Sequence, residues 1–218
     1  MKEFPIVTIP FYEFEANESL VDLVLEDVKQ LKFIENELTN ITPDEYYHPE
    51  LFDFFDQCLL EIRDKFLIPS LELPIISCWV NKAHRFNRHY EHSHSNSFIS
   101  GIFYLTTHDN SETIFSIPNP WFHSITDKLH VFRSVTADAG LPDDQWVKGK
   151  VKPTKGKLVL FPSNIRHSTS ANTSKDFRYT IAFNAFVSGK LGFHGNVATR
   201  LEIKTIGVKD RFNRQDNS

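Results

Sequence analysis

Three histidines and one arginine give this chain its capacity for chemistry. His92 and His94 are separated only by Ser93, His167 lies far downstream, and Arg178 follows it by eleven residues. Imidazole nitrogens bind Fe(II) and similar ions, and three of them can cap one face of an octahedral metal. The segment around the pair reads as strand. Side chains at i and i+2 of a strand point the same way, so His92 and His94 can reach one metal together. His167 ends the run Gly156-Lys-Leu-Val-Leu-Phe-Pro-Ser-Asn-Ile-Arg-His167 and would close the site from a distant strand.

A non-haem Fe(II) oxygenase needs this distribution: three ligands on one face of the metal and an open face for cosubstrate and dioxygen. A 2-oxoglutarate site also needs a fixed cation for the cosubstrate's distal carboxylate. Arginine suits that role because its planar fork forms two parallel hydrogen bonds to a carboxylate. If 177–187 is the strand after that of His167, Arg178 points into the same cavity, and Thr180 at i+2 shares its face. Asn81, eleven residues before His92, can add an amide. Tyr104 can add a phenol from the apolar strand Ser100–Leu105, which would shield the site from water.

Several elements must position these groups. Residues 4–14, with Pro5 and Pro10, read as an edge strand. Asn17 or Ser19 can cap a helix running to about Leu38, whose apolar positions Leu20, Leu23, Val24, Val28, Leu31 and Ile34 recur at helical spacing. Pro49 opens a second helix with an apolar face of Leu51, Phe52, Phe55, Leu59, Ile62 and Phe66, ended by Pro69. Strands then follow at Ile75–Val80, Ser100–Thr106, Lys157–Phe161, Tyr179–Val187 and Val197–Ile206, with weaker ones at Thr113–Ile117 and Leu129–Val135. The order, helices and then strands, argues for an α+β, mainly β fold. It divides as strand and helical support over 1–70, a barrel core over 73–206 with an insertion at 107–155, and a frayed charged tail at 207–218. The insertion would form much of the substrate entrance.

The chain's 218 residues suit one domain, and 40% hydrophobic content supports a sizeable core. Twenty Phe against a single Met make that core aromatic. A net charge of -4 without a block of like charge argues against a nucleic-acid or membrane surface. The start lacks an apolar signal region and no apolar run approaches the length of a membrane span, so a cytoplasmic protein is expected. Cys58 and Cys78 read as reduced, buried small hydrophobes. No motif specifies an oligomeric state.

Taken together, the motifs resemble a known group. Trp79-Val-Asn81, His92-Ser-His94 with Ser100-Gly-Ile-Phe-Tyr-Leu105, Gly156…Phe161-Pro-Ser…His167 and Arg178-Tyr-Thr-Ile-Ala-Phe-Asn184 look like the iron(II)/2-oxoglutarate-dependent dioxygenase superfamily. The likeness is to a small branch with a His-x-His…Ser-Gly-x-Tyr-Tyr-Leu pattern. It is similar more distantly to prolyl 4-hydroxylases through Glu112-Thr-Ile-Phe115. The resemblance implies a double-stranded β-helix (jelly roll) with iron in its mouth, His92 and His167 as ligands, and Arg178 on the distal carboxylate of 2-oxoglutarate. Asn81 would match an asparagine that some members place upstream of the first ligand. The implied reaction consumes dioxygen, splits 2-oxoglutarate into succinate and carbon dioxide, and hydroxylates an unactivated C–H bond of a small molecule or peptide residue.

His94 departs from the family pattern, which has Asp or Glu there. Three readings compete: a three-histidine site; His94 outside the metal shell with water or halide in its place; or a carboxylate such as Glu112 or Asp109 completing the triad. Two other functions also fit: a cupin-type metalloprotein that needs no Arg178, and a non-catalytic β-barrel with structural histidines. Against a site role, Arg178 would be an exposed strand residue paired with Asp176 or Glu202. His84 and His89 can border the cavity. His48, His108, His123, His130 and His194 read as surface or hydrogen-bonding residues, Trp79 as core, and Asn184 as a structural hydrogen-bonding amide. Trp121 and Phe122 either stack on substrate or pin the insertion.

Overall fold

The computed structural model describes residues 11–35, 39–43, 45–67, 70–118, 146–191 and 201–215. The chain begins with a short strand, β1 (Tyr12–Glu15), then helix α1 (Glu18–Lys29). Asn17 caps α1, its side-chain oxygen accepting from the Leu20 backbone N–H at 2.8 Å. Strand β2 (Asn40–Ile41) and helix α2 (Pro49–Phe66) follow, with Pro49 in the first helical turn where no N–H is needed. The strands that remain are β3 (Leu71–Glu72), β4 (Ile75–Ala83), β5 (Ile99–Tyr104), β6 (Thr113–Pro118), β7 (Trp146–Val151), β8 (Lys157–Pro162), β9 (Arg166–Thr169), β10 (Arg178–Ala185), β11 (Ser188–Leu191) and β12 (Leu201–Ile203). Helix α3 (Val208–Gln215) ends the described chain.

The strands form a six-stranded sheet in the order β1-β8-β5-β10-β4-β2 and a three-stranded sheet β7-β6-β9, with a small sheet β12-β11-β3 beside them. All described pairings are antiparallel. The large sheet separates two apolar environments, and period-two alternation assigns each residue to one. Cys78 and Val80 of β4, Ile99 and Phe103 of β5, Leu158 and Leu160 of β8, and Tyr179, Ile181 and Phe183 of β10 pack with α1 and α2. The alternate residues Tyr104, Val159 and Phe161 face the smaller sheet, where they meet Phe115 and Ile165.

One glycine sets the fit between sheet and helix. Gly101 stands opposite Phe183 across β5 and β10, and a Cβ on Gly101 would lie 2.3 Å from the Phe183 ring. That ring packs on Phe55 of α2 at 4.6 Å between centroids. The missing side chain on one strand therefore holds the aromatic of the next in contact with the helix.

Most expected elements appear close to their predicted places, but helix α1 and the tail differ. Helix α1 ends at Lys29 rather than near Leu38. Past Leu31 the chain turns back so that Ile34 pairs with Ile41, and Phe33 packs beside Tyr179 of β10 at 6.3 Å. Long-range pairing overrides the helical period there. The tail is not frayed over 208–215: Val208 is fully buried, Lys209 pairs with Asp53 of α2 at 2.9 Å, and Phe212 stacks on Tyr47 at 5.0 Å. Its charges are the partners of charges on α2 and the preceding loop. The predicted strand at Val197–Ile206 is described only from 201, as β12.

Within 107–155, β6 falls on the strand predicted at Thr113–Ile117, and β7 pairs with it to build the second sheet. Pro69, the predicted strand Leu129–Val135, and Trp121, Phe122, His123, His130 and His194 lie outside the described residues, as do residues 4–10 of the predicted edge strand. Cys58 and Cys78 are buried and unpaired, as expected, and burial pushes the Cys58 thiol up to about 12. Among the described residues, no helix is long and apolar enough to cross a membrane.

Replacing Gly101 by Ala should lower stability by about 1–3 kcal/mol, the usual cost of forcing an extra carbon into a packed core. Urea unfolding is expected to show a lower midpoint with an unchanged slope.

Candidate metal and cosubstrate site

All of the expected site residues line one cavity between the two sheets: Asn81, His92, His94, Tyr104, His167, Arg178 and Thr180. The large sheet brings Asn81, Thr180 and Tyr104 into a single row. Thr180 on β10 stands directly opposite Asn81 on β4 and Tyr104 on β5. Arg178, two residues before Thr180, extends that face toward the small sheet.

The histidine pair does not sit within a regular strand. It lies in the loop between β4 and β5, joined to β9 by one bridge in which His92 and His167 exchange backbone hydrogen bonds of 2.9 and 2.8 Å. Asn96, at φ 54°, then turns the chain into β5. Asparagine tolerates this left-handed conformation. The bridge sets the two distant histidines side by side, with ring centroids 4.3 Å apart.

The donor set fits a divalent transition metal. The His92 and His167 Nδ1 atoms lie 2.8 and 3.2 Å from the carbonyls of Tyr90 and Ile165. In neutral rings, Nδ1–H donates to those carbonyls and Nε2 is left with a free lone pair. The Nε2 atoms of His94 and His167 lie 3.3 Å apart, and one nitrogen from each of the three rings falls within 4.8 Å of the others. Two metal–imidazole bonds of about 2.1 Å at a right angle put their donors about 3 Å apart. Trp79 stacks on His94, with centroids at 5.8 Å and planes inclined by 24°, and so lines the cavity rather than the helix-side core.

Electrostatics keep these rings ready to ligate. Burial lowers the His94 value to about 4, helped by the neighbouring His92. Burial lowers His167 to about 3, with His92, His94 and His89 adding to the shift. The carboxylates suggested as completing a triad are engaged elsewhere: Asp109 pairs with Lys152 at 2.6 Å and Glu112 with Lys150 at 3.2 Å. No carboxylate lines the cavity among the described residues.

Arg178 is 3% exposed, not a surface strand residue. Its guanidinium donates to the Ser111 carbonyl at 3.3 Å, to the Ser111 hydroxyl, and to the Thr169 hydroxyl at 3.2 Å. Among the described residues none of its partners is a carboxylate, and burial lowers its value to about 10. Asn81 carries a second unmet demand. Its Nδ2 reaches Thr180 Oγ1 at 3.5 Å, while its buried Oδ1 has no partner among the described residues. The Tyr104 hydroxyl is engaged with Thr113 Oγ1 at 2.6 Å, and burial pushes its value up to about 12.

Comparison with known proteins decides what this cavity belongs to. A family model described as Putative 2OG-Fe(II) oxygenase matches residues 77–184, from the strand that carries Asn81 to the strand that carries Arg178. Over these residues the chain belongs to this oxygenase family. The oxygenase is accordingly a 2-oxoglutarate-dependent enzyme that uses Fe(II) and dioxygen. Among curated proteins no relative matches it in sequence. HygX from Streptomyces hygroscopicus, solved with nickel and 2-oxoglutarate bound, is similar with a TM-score of 0.58 at 14% identity, over 82% of this chain and 83% of its own. The epimerase SnoN from nogalamycin biosynthesis is similar with a TM-score of 0.58 at 11% identity, over 92% of each chain. A Pseudomonas putida prolyl-4-hydroxylase gives 0.51 at 16% identity, over 81% of this chain and 93% of its own. At these identities the likeness is one of fold, the double-stranded β-helix expected from the sequence.

Sequence reasoning passed over Ser111, Thr169 and the cavity role of Trp79. Alternation offered a signal for two of them, since Thr169 is i+2 from His167 and Trp79 is i−2 from Asn81. Ser111 comes from a loop and had none. Of the two bordering histidines, His89 lines the cavity, while His84 bonds to Asn40 at 3.1 Å and packs on Phe177. Asn184 makes the structural bonds expected, accepting from Ser100 Oγ at 2.7 Å and donating to Ser77 Oγ at 3.2 Å.

The depressed histidines set a pH dependence for the metal-free protein. Above about pH 6.5 the rings are neutral whether folded or unfolded. Below it the unfolded chain takes up protons that the folded site refuses until about pH 3–4, so stability should fall as pH falls through that window. Each fully buried ring adds a slope of up to about 1.4 kcal/mol per pH unit, and the half-buried His94 less. Thermal melts from pH 7 to 4 check this, and His167→Asn should flatten the decline.

Proposed function

We propose that His92, His94 and His167 hold the Fe(II) of this oxygenase. Arg178, with Asn81 and Thr180, receives 2-oxoglutarate, and the enzyme hydroxylates an unactivated C–H bond of a small molecule or a peptide residue. The observation that carries this reading is the buried Arg178 guanidinium, which lines one cavity with the three imidazoles and has only neutral partners among the described residues. A buried cation without a counter-ion is costly, and a bound dicarboxylate relieves that cost. A cupin-type metal protein without 2-oxoglutarate would have no use for it.

With cosubstrate and dioxygen, the bound metal supplies the oxidation of the C–H bond. The chain's own residues bind, orient and exclude water. Hydrogen bonds to the Ser111 and Thr169 hydroxyls fix the guanidinium fork so that it meets a carboxylate without reorganising. The backbone carbonyls of Tyr90 and Ile165 accept from Nδ1–H of His92 and His167, which leaves Nε2 of each ring as the nitrogen for a metal. The unpartnered Asn81 Oδ1 and the adjacent Thr180 hydroxyl supply polar contacts beside the metal. Ile102, Phe161 and Ala182 give the cavity an apolar lining that limits access of bulk water.

A neutral imidazole at position 94, in place of a carboxylate, leaves the metal with one more unit of positive charge. That strengthens its attraction for anions, 2-oxoglutarate included. Substrates with the size of a small metabolite or a single peptide residue suit an opening between two sheets, and the absence of a basic stripe in the sequence argues against nucleic acid.

Anaerobic titration of 2-oxoglutarate into the Fe(II)-loaded protein should develop the visible charge-transfer band of a cosubstrate bound through two atoms to iron. His92→Ala should abolish the band with loss of iron. Arg178→Ala should keep the iron and weaken 2-oxoglutarate by roughly 30- to 1000-fold, as expected for a lost charge-assisted pair in a buried site. Stoichiometric iron without any band would overturn the 2-oxoglutarate assignment, and no iron would overturn the metal site.

A further inference from the structure

A fourth histidine belongs to this site. His89 lines the same cavity, its ring centroid 6.1 Å from that of His92. The segment carrying it is built to hold it there. The His89 backbone N–H donates to Thr169 Oγ1 at 2.8 Å, and the Thr169 N–H donates to the His89 carbonyl at 3.1 Å. The same Thr169 hydroxyl accepts from Arg178 Nη2 at 3.2 Å, so one side chain ties the His89 backbone to the cosubstrate's cationic anchor. Upstream, Phe86 donates to the Asn172 carbonyl at 2.7 Å and is held at φ 71°, an unfavourable left-handed conformation for an aromatic residue. Asn172, itself fully buried, donates back to the Asn87 carbonyl at 3.0 Å. Strain of this kind persists only where the surroundings over-determine it.

The imidazole of His89 makes no hydrogen bond among the described residues. In either charge state it carries at least one N–H donor. Its charged and titratable neighbours are Arg178, His92, His94 and His167. A 2-oxoglutarate that reaches from the metal to Arg178 must pass a group that neighbours both ends. We propose that His89 donates a hydrogen bond to bound 2-oxoglutarate and is a positioning residue for the cosubstrate. This inference rests on the assignment of the cavity to 2-oxoglutarate made above.

The test is the anaerobic Fe(II) and 2-oxoglutarate titration on wild type, His89→Phe and His89→Asn, with iron content and melting temperature measured on each. His89→Phe keeps the ring and removes the donors, while His89→Asn restores an N–H. With iron content unchanged, His89→Phe should weaken 2-oxoglutarate about ten- to hundredfold and shift the charge-transfer maximum, and His89→Asn should recover most of the affinity. A wild-type band with unchanged affinity in His89→Phe overturns this inference alone. Equal weakening in both variants also overturns it, because the donor would then not be what matters. No band in wild type overturns the assignment of the cavity to 2-oxoglutarate, and this inference with it.

Discussion

A guanidinium buried without a carboxylate is the constraint around which this structure is arranged. Arg178 is sequestered on a central strand, and every partner it has among the described residues is a neutral hydroxyl or carbonyl. A sheet interior tolerates such a charge only when the surrounding dipoles are fixed and a counter-ion can enter. The hydroxyls come from a loop and from β9, so the small sheet must be in place before the arginine is satisfied. The same strand β9 carries His167, which couples the cation to the histidine cluster through one short stretch of backbone.

The two faces of the large sheet divide the labour. Toward the helices, Phe103, Phe183 and Phe55 form an aromatic cluster whose packing requires Gly101. Toward the small sheet, the intervening residues form a row of amide, hydroxyl and phenol that ends at the arginine. Strict alternation lets stability and chemistry occupy the same strands without competing for positions. Helix α3 is tied to α2 and the loop before it through charge pairs and the Tyr47–Phe212 stack.

The site holds an unusual electrostatic balance. Burial, helped by the neighbouring rings, disfavours charge on His94 and His167, and no described carboxylate offsets either a metal or Arg178. An anionic cosubstrate would complete the balance, which suits a 2-oxoglutarate-dependent oxygenase.

Much of this was legible in the sequence because the signals were local. Asn17 capping, Pro49 at a helix start, and alternation along β4, β5, β8 and β10 follow from the geometry of single elements, and His-x-His with a later His and Arg follows from what a metal and a carboxylate demand. The departures have a shared cause. Helix α1 stops early because Ile34 finds a strand partner, the tail folds because its charges meet those of α2, and the histidine pair sits on a loop because its regular partner is a single bridge to β9. Ser111 became a site residue only when distant segments were brought together. The sequence by itself determined which atoms could bind metal and carboxylate, since that is a property of side-chain chemistry and spacing. The tertiary structure alone decided that His94, rather than Glu112 or Asp109, faces the other two imidazoles, and that Arg178 has no counter-ion among the described residues. Both depend on which groups from separate strands share a buried space.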